Sequence, residues 1–499
     1  MPTSVISYRR DVPEVATPGP AAATTAAAGS GALLRRFDDI RARLGVPDGF
    51  PEDVLAEAGR VAESAPRPLR DETGVPFWTL DPLGSLDLDQ AMALQRAGEG
   101  YRVRYAIADV PAFVRPDGAI DAEARRRGQT IYLPDRRAPL HPAALSEGAA
   151  SLLPSQDRPA YVWDLALDAS GQVRATQVYR ALVRSHDRLD YTAVQRALDA
   201  GSGDERFVLL REIGQARQAL ELARGGASLP MPEQQVHEQA DGSFVTAFRP
   251  PLAAEDWNAQ ISLMTGMAAA EQMIRAGVGI LRTMPAPDPG AVDRFRRQAK
   301  ALGVPWPTGQ RYGQFLRSLD RTDPRQLALI HEATALFRGA GYTPFDGAAP
   351  AQAQHAAVAA PYAHVTAPLR RLVDRFALVV CEAVSSGAPV PQWARSALPM
   401  LPQIMAESDR RASAVDRACT DAVEAATLSP HVGARLTGTV VDVNRQGSAV
   451  VQLADPAVLS AAAGSARPGD PVTVLVQSAD VAAGTVSLRI CPAGATGQR

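Results

Sequence analysis

Three carboxylates fall within the nine positions from Asp81 to Asp89 in the run Thr79-Leu80-Asp81-Pro82-Leu83-Gly84-Ser85-Leu86-Asp87-Leu88-Asp89-Gln90-Ala91. Clustered oxygen ligands of this kind hold hard divalent cations. Alternate side chains of an extended segment face opposite sides, so Asp87 and Asp89 are expected on one side and Leu86 and Leu88 on the other. Pro82 and Gly84 supply a bend that returns Asp81 toward the pair. The same run also reads as a solvated acidic loop. A second group lies far downstream, in Tyr362-Ala363-His364-Val365-Thr366-Ala367-Pro368-Leu369-Arg370-Arg371-Leu372-Val373-Asp374. It sets two arginines behind Pro368, where a helix is expected to begin. Helix starts favour anions, and an arginine pair strengthens that preference. Alone, this run also fits a helix terminus with a surface ion pair.

The elements around these groups follow from periodicity. Short strands are expected over Phe77 to Leu80, Ala91 to Gln95 and Tyr101 to Val110, so the acidic run joins paired strands. Helical spacing marks 33–44, 257–278, 290–302, 326–337, 369–384 and 402–428. Strands feeding a helical second half point to an α+β domain. Beyond Pro430 the pattern returns to short strands, at 436–443, 448–453, 472–478 and 485–490, the pattern of a small OB-type barrel; a β appendage that only packs on the main domain fits it as well. The resulting division is a tail at 1–30, rich in Ala, Pro, Thr and Gly, and a helical segment at 31–70. A main domain follows at 71–390, a helical connection at 391–430, a barrel at 431–492 and a tail at 493–499.

Composition bounds the function class. The chain has 499 residues, 46% hydrophobic and 21% charged, which suits a soluble protein of several domains. No apolar run approaches the ~18 residues of a membrane span, and Arg9, Arg10, Asp11 and Glu14 precede no apolar block of signal type. A monomeric cytoplasmic protein is the expectation. Cys381, Cys419 and Cys491 have neither zinc-ligand nor disulfide spacing. The net charge of -2 leaves a polyanionic partner open, since a basic channel can sit in an acidic surface. Lys300 is the lone lysine, so the cationic surface is almost all arginine, whose planar fork suits phosphate.

The arginine-bearing run resembles the ribonuclease II and ribonuclease R family of RNB-domain exoribonucleases, whose pattern is Tyr-x-His-Phe-Thr-Ser-Pro-Ile-Arg-Arg-Tyr-x-Asp. The likeness continues in Ile107-Ala108-Asp109-Val110, in Ile120-Asp121-Ala122-Glu123-Ala124, in Arg127-Gly128 through Tyr132-Leu133-Pro134, and in Pro139-Leu140-His141-Pro142 with Leu145-Ser146-Glu147-Gly148 and Ser151-Leu152. It spans about residues 70 to 390. The resemblance implies an RNB-type catalytic domain, a β-sheet core with helices, followed by an S1-like barrel. Cold-shock-type domains that members often carry upstream are not expected in the seventy residues before it.

For function, the resemblance implies Mg²⁺-dependent hydrolysis of single-stranded RNA from its 3′ end to nucleoside 5′-monophosphates. Asp81, Asp87 and Asp89 are then the expected metal ligands, with Asp87 and Asp89 catalytic. Arg370 is expected to stabilise the charge that develops on phosphate. Tyr132 is a candidate base-stacking platform or simply a packed aromatic, and Arg371 and His364 are candidate RNA contacts. Two departures from the family pattern beside the arginines are Ala367 for Ser and Leu372 for Tyr. The main departure is Gln90, where the family motif Asp-x-Asp-Asp-Ala has an acid. Gln90 can offer a metal its amide oxygen but adds no charge. A count of ligands therefore predicts that Gln90→Asp keeps or raises activity at low Mg²⁺. The alternative function is a catalytically weakened RNA-binding paralogue. A metal phosphoesterase acting on DNA or small molecules is a third reading, against which the C-terminal barrel stands.

Overall fold

The computed structural model describes residues 20–492 apart from 65–66, 228, 230–232, 239–243, 250, 445–446 and 454. Helices α1 (Pro20–Leu44) and α2 (Glu52–Glu63) lead in. The expected tail is corrected here, because α1 already starts at Pro20; residues 1–19 and 493–499 lie outside the described residues. Alanine is the best helix former, so the alanine-rich stretch can extend a helix that is anchored further along. That anchor is the buried trio Leu33, Phe37 and Ile40, which packs with Val415, Cys419 and Val423.

Strands β1 (Asp71–Asp81), β2 (Gln90–Ala97) and β3 (Gly100–Ala108) form the expected antiparallel succession. Helix α3 (Ala119–Arg127) and the two-residue strands β4 (Ile131–Tyr132) and β5 (Arg137–Ala138) follow. Two long strands, β6 (Asp157–Leu167) and β7 (Val173–Asp190), then close a five-stranded barrel in the order β1-β2-β3-β6-β7. Closure comes from parallel pairing of β1 with β7, which sets Asp81 opposite Asp190. Apolar alternation marks β7 poorly, since its Arg, Thr and Gln residues lie at positions that are half-buried or exposed.

Both barrel faces are covered, and they differ in residue size. One carries Trp78, Leu80, Met92, Tyr105, Tyr161 and Trp163, which pack on the helices. The other carries small residues, Ala91, Ala93, Ala106, Ala108, Ala160 and Ala181, so that neighbouring segments approach closely. The helical layer contains α4 (Tyr191–Asp199), α5 (Glu205–Arg224) and, after the hairpin β8 (Glu233–Glu238) and β9 (Phe244–Arg249), the long α6 (Ala253–Ala276). Trp78 meets Phe207 of α5 edge to face, with ring centroids 6.2 Å apart. The antiparallel pair β10 (Val278–Thr283) and β11 (Gly341–Asp346) brackets α7 (Pro289–Ala301), α8 (Tyr312–Arg317) and α9 (Pro324–Glu332). After the short pair β12 (Gln354–His355) and β13 (Ala360–Pro361) come α10 (Leu372–Ser386), α11 (Gln392–Ala397) and the 28-residue α12 (Leu401–Leu428).

Helix α10 carries a buried ion pair. Arg375, fully buried, contacts Asp121 of α3 and donates to the Val114 carbonyl at 2.9 Å. Removing one partner strands the other charge in the core, so Asp121→Ala is expected to cost about 3–5 kcal/mol. Denaturant unfolding monitored by circular dichroism measures it.

The C-terminal strands β14 (Arg435–Val443), β15 (Ala449–Leu453), β16 (Val458–Ala463), β17 (Pro471–Asp480) and β18 (Thr485–Ile490) close a second barrel in the order β14-β15-β16-β18-β17. Its parallel β16–β18 pair and five-strand closure give the OB architecture. Glu424 of α12 sits in the seam, buried, and accepts hydrogen bonds from Gln234 Nε2 and the Leu459 N–H, each at 2.8 Å. Burial pushes its carboxyl up to about 7, against the pull of those two bonds. The folded state thus keeps a proton that the unfolded chain releases near 4.5. Stability is expected to fall as pH rises from about 4.5 to about 7, and Glu424→Gln to flatten that slope and gain about 1–3 kcal/mol at pH 8. Urea titrations across this pH range check both.

No helix among the described residues is long and apolar enough to cross a membrane. All three cysteines are free thiols.

Candidate active site

The acidic run spans the connection from the end of β1 to the start of β2. The bend lies where Pro82 and Gly84 place it, with Gly84 in the left-handed region at φ 85° and the Ser85 N–H donating to the Pro82 carbonyl at 3.2 Å. Ser151 fixes the next stretch: its hydroxyl accepts from the Leu88 N–H at 2.9 Å and donates to the Leu86 carbonyl at 2.6 Å. Leu88 is buried as expected, whereas Leu86 is exposed.

The three carboxylates have different surroundings. Asp81 Oδ2 is buried and has no hydrogen-bond partner among the described residues. Burial, and next the Asp87 charge, push its carboxyl up to about 7, while Arg370 opposes them. Asp89 is buried, and that burial holds its carboxyl well above the usual range against the pull of Arg370 and the Leu369 N–H. It accepts from Leu369 N–H at 2.7 Å, and its Oδ2 lies 3.7 Å from Arg370 Nε. Asp87 Oδ1 accepts from Arg137 Nη1 at 2.6 Å, and the other arm of that arginine reaches Glu147 at 2.6 Å.

Among the described residues, no three His, Cys, Asp or Glu side chains stand together as a ready-made metal cluster. Arg137 draws Asp87 aside, and Leu369 and Arg370 hold Asp89. The donor set nonetheless fits a divalent cation. It is all carboxylate oxygen, one buried oxygen lacks a partner, and two carboxyls are forced upward by burial that a cation would offset.

The arginine run differs from the expected helix start, because α10 begins only at Leu372 and residues 368–370 form a turn. Backbone pairing fixes that turn: the Thr130 N–H donates to the Arg370 carbonyl at 2.9 Å and the Leu372 N–H to the Gly128 carbonyl at 3.0 Å. Arg370 keeps 44% of its side chain exposed and, among the described residues, makes only the loose approach to Asp89. Arg371, in contrast, is committed to Asp374 through a two-armed contact at 3.0 and 2.9 Å. His364 Nδ1 pairs with the Tyr342 hydroxyl at 2.8 Å, and burial holds its imidazole well below the usual range, hence neutral. These two side chains brace the loop. Tyr132 remains 36% exposed beside the acids, and burial first and the Asp87 charge next push its phenol up to about 12.

Gln90 lies at the site with both polar groups engaged: Nε2 donates to the Thr366 carbonyl, and Oε1 accepts from the Tyr105 hydroxyl at 3.1 Å. Arg137 and Glu147 escape the sequence reading. A signal was available for Arg137, since the Pro134-Asp135 turn pairs it with Tyr132 across the β4–β5 hairpin.

A family model described as RNB domain matches residues 68–385. The chain belongs to the RNB-domain family. A second model, the RNase II-type exonuclease C-terminal S1 domain, matches residues 434–490, which contain the second barrel. The chain is 30% identical over 349 residues to ribonuclease R of Escherichia coli strain K12, covering 66% of this chain and 40% of that one. It therefore spans less than half the length of that relative. Among solved structures, Mycoplasma genitalium RNase R in complex with ribose-methylated single-stranded RNA superposes with a TM-score of 0.81 at 18% identity, over 92% of this chain and 78% of the other. Yeast Ssd1, a pseudonuclease, superposes with a TM-score of 0.65 at 17% identity, over 80% and 51%.

Proposed function

We propose that this RNB-family chain is a hydrolytic exoribonuclease that uses Mg²⁺ to degrade single-stranded RNA from its 3′ end, releasing nucleoside 5′-monophosphates. The observation that carries the reading is the approach of the exposed Arg370 to Asp89, at 3.7 Å across about 280 residues of chain, with the charges of Arg370 and Asp87 both acting on the same acids, Asp81 and Asp89. Asp81, Asp87 and Asp89 hold the cation, which when bound supplies a water acidic enough to ionise near neutral pH. Arg370, free of a tight internal partner, turns its guanidinium to the phosphate oxygens as charge develops there. Tyr132 offers a ring face to the terminal base, and stacking of that kind holds a strand without reading its sequence. The S1-type barrel grips the upstream strand. We place the protein in the cytoplasm as a monomer.

The deciding experiment incubates the full chain with 5′-labelled single-stranded RNA and Mg²⁺. A descending ladder with free mononucleotides, abolished by a chelator and restored by Mg²⁺, is expected. Absence of 2′-hydroxyls in the substrate is expected to slow the reaction, which separates RNA from DNA. A second reading, an RNA binder without turnover, is favoured by the uncharged Gln90. Tight RNA binding with no degradation at any Mg²⁺ concentration selects it.

A further inference from the structure

Gln90 opens β2, on the strand face that carries Met92 and Leu94 toward the helical layer, and alternation sets Asp89 on the other face. From these two faces the neighbours grip one loop. Asp89 accepts the Leu369 N–H, and Gln90 gives its amide N–H to the Thr366 carbonyl. The amide cannot turn over without setting its oxygen against that carbonyl, and in its present orientation the oxygen takes the hydroxyl of Tyr105, a fully buried residue. Beyond the backbone bond from the Thr130 N–H to the Arg370 carbonyl at 2.9 Å, side chains hold the loop at two further points. The Ser262 and Thr366 hydroxyls pair at 2.8 Å, and Asp374 accepts the Ala367 N–H at 2.7 Å. Of these five ties, only that from Gln90 requires a donor from β2. An ionised acid at position 90 has none to offer and would face the Thr366 carbonyl with like charge.

We propose that Gln90 is a positioning residue: through the Thr366 carbonyl it holds the 366–371 loop so that Arg370 stands beside Asp89, and the site uses three carboxylates with a structural amide at the fourth position. The missing charge is therefore an adaptation of the loop's anchor and not a damaged ligand. This reverses the outcome that ligand counting predicts for an acid at position 90. Only the kinetic part of the proposal rests on the exoribonuclease reading.

The test uses the full chain carrying Gln90→Glu, which keeps size and removes the donor, and Tyr105→Phe, which keeps the buried ring and removes the hydroxyl that orients the amide. In metal-free, RNA-free protein, hydrogen exchange of the 366–371 amides is expected to quicken at least about tenfold in Gln90→Glu, with α10 and β3 unchanged. At saturating Mg²⁺, the turnover rate on a short single-stranded RNA is expected to fall about 10²-fold with little change in KM. Calorimetric titration with Mg²⁺ alone is expected to show affinity no weaker than wild type. Tyr105→Phe is expected to shift exchange and turnover in the same direction by a smaller factor, and it carries the test alone if Gln90→Glu does not fold. Unchanged exchange in the loop overturns the proposal whatever the kinetics, as does turnover at or above wild type in Gln90→Glu. If the wild-type chain does not degrade RNA, the exoribonuclease reading fails, and the exchange measurement still decides the role of Gln90.

Discussion

An Asp89→Asn protein is expected to bind single-stranded RNA much as wild type does and to degrade it at least about 10³-fold more slowly. The substitution is well suited to separating chemistry from folding. Asparagine keeps an oxygen for the Leu369 N–H, which Asp89 accepts at 2.7 Å, so the loop retains that tie. It also removes a carboxyl that burial disfavours in its charged form, so the metal-free protein should unfold at the same temperature or higher. What is lost is one of three negative charges available to a cation, and the charge that faces Arg370 at 3.7 Å. Labelled-RNA degradation, filter binding and a thermal scan form the measurement. Wild-type turnover in this protein would show that the catalytic centre lies elsewhere.

Arg370→Ala is expected to lower the turnover rate by about 10²–10³-fold, the loss typical when a preorganised donor to a developing charge is removed. Its side chain is 44% exposed and has no tight partner among the described residues, so folding should be untouched. Arg370→Lys is expected to recover only part of the rate, because an ammonium cannot offer two parallel bonds to phosphate. Arg371→Ala, one position along, gives a useful contrast. Arg371 is locked to Asp374, whose Oδ1 also takes the Ala367 N–H at 2.7 Å, so its loss should lower stability together with rate. Parallel melting curves and single-turnover assays distinguish the two arginines, which the sequence presents as an equivalent pair.

Much of the fold was legible because local patterns decide it. The acidic run bends where Pro82 and Gly84 predict, and β14–β18 form the small barrel that short strands after Pro430 announce. Helices α6, α7 and α12 fall where apolar spacing places them. Legibility failed where long-range packing overrides composition. The alanine-rich stretch from Pro20 is helical because Leu33, Phe37 and Ile40 seat its continuation on α12. The turn at 368–370 postpones α10 because its backbone pairs with Gly128 and Thr130 instead.

The candidate site divides along the same line. The sequence alone established which residue types are present: three acids, an arginine pair, a tyrosine and an amide beside the last acid. Residue type fixes charge and donor capacity, and these need no fold to be read. Only the tertiary structure decided what each group does with that capacity. It sent one arm of Arg137 to Asp87, tied Arg371 and His364 into the loop, left Arg370 loosely beside Asp89, and set Gln90 beneath a carbonyl 276 residues away. Such pairings depend on distances across a closed barrel, which no local pattern of residues contains.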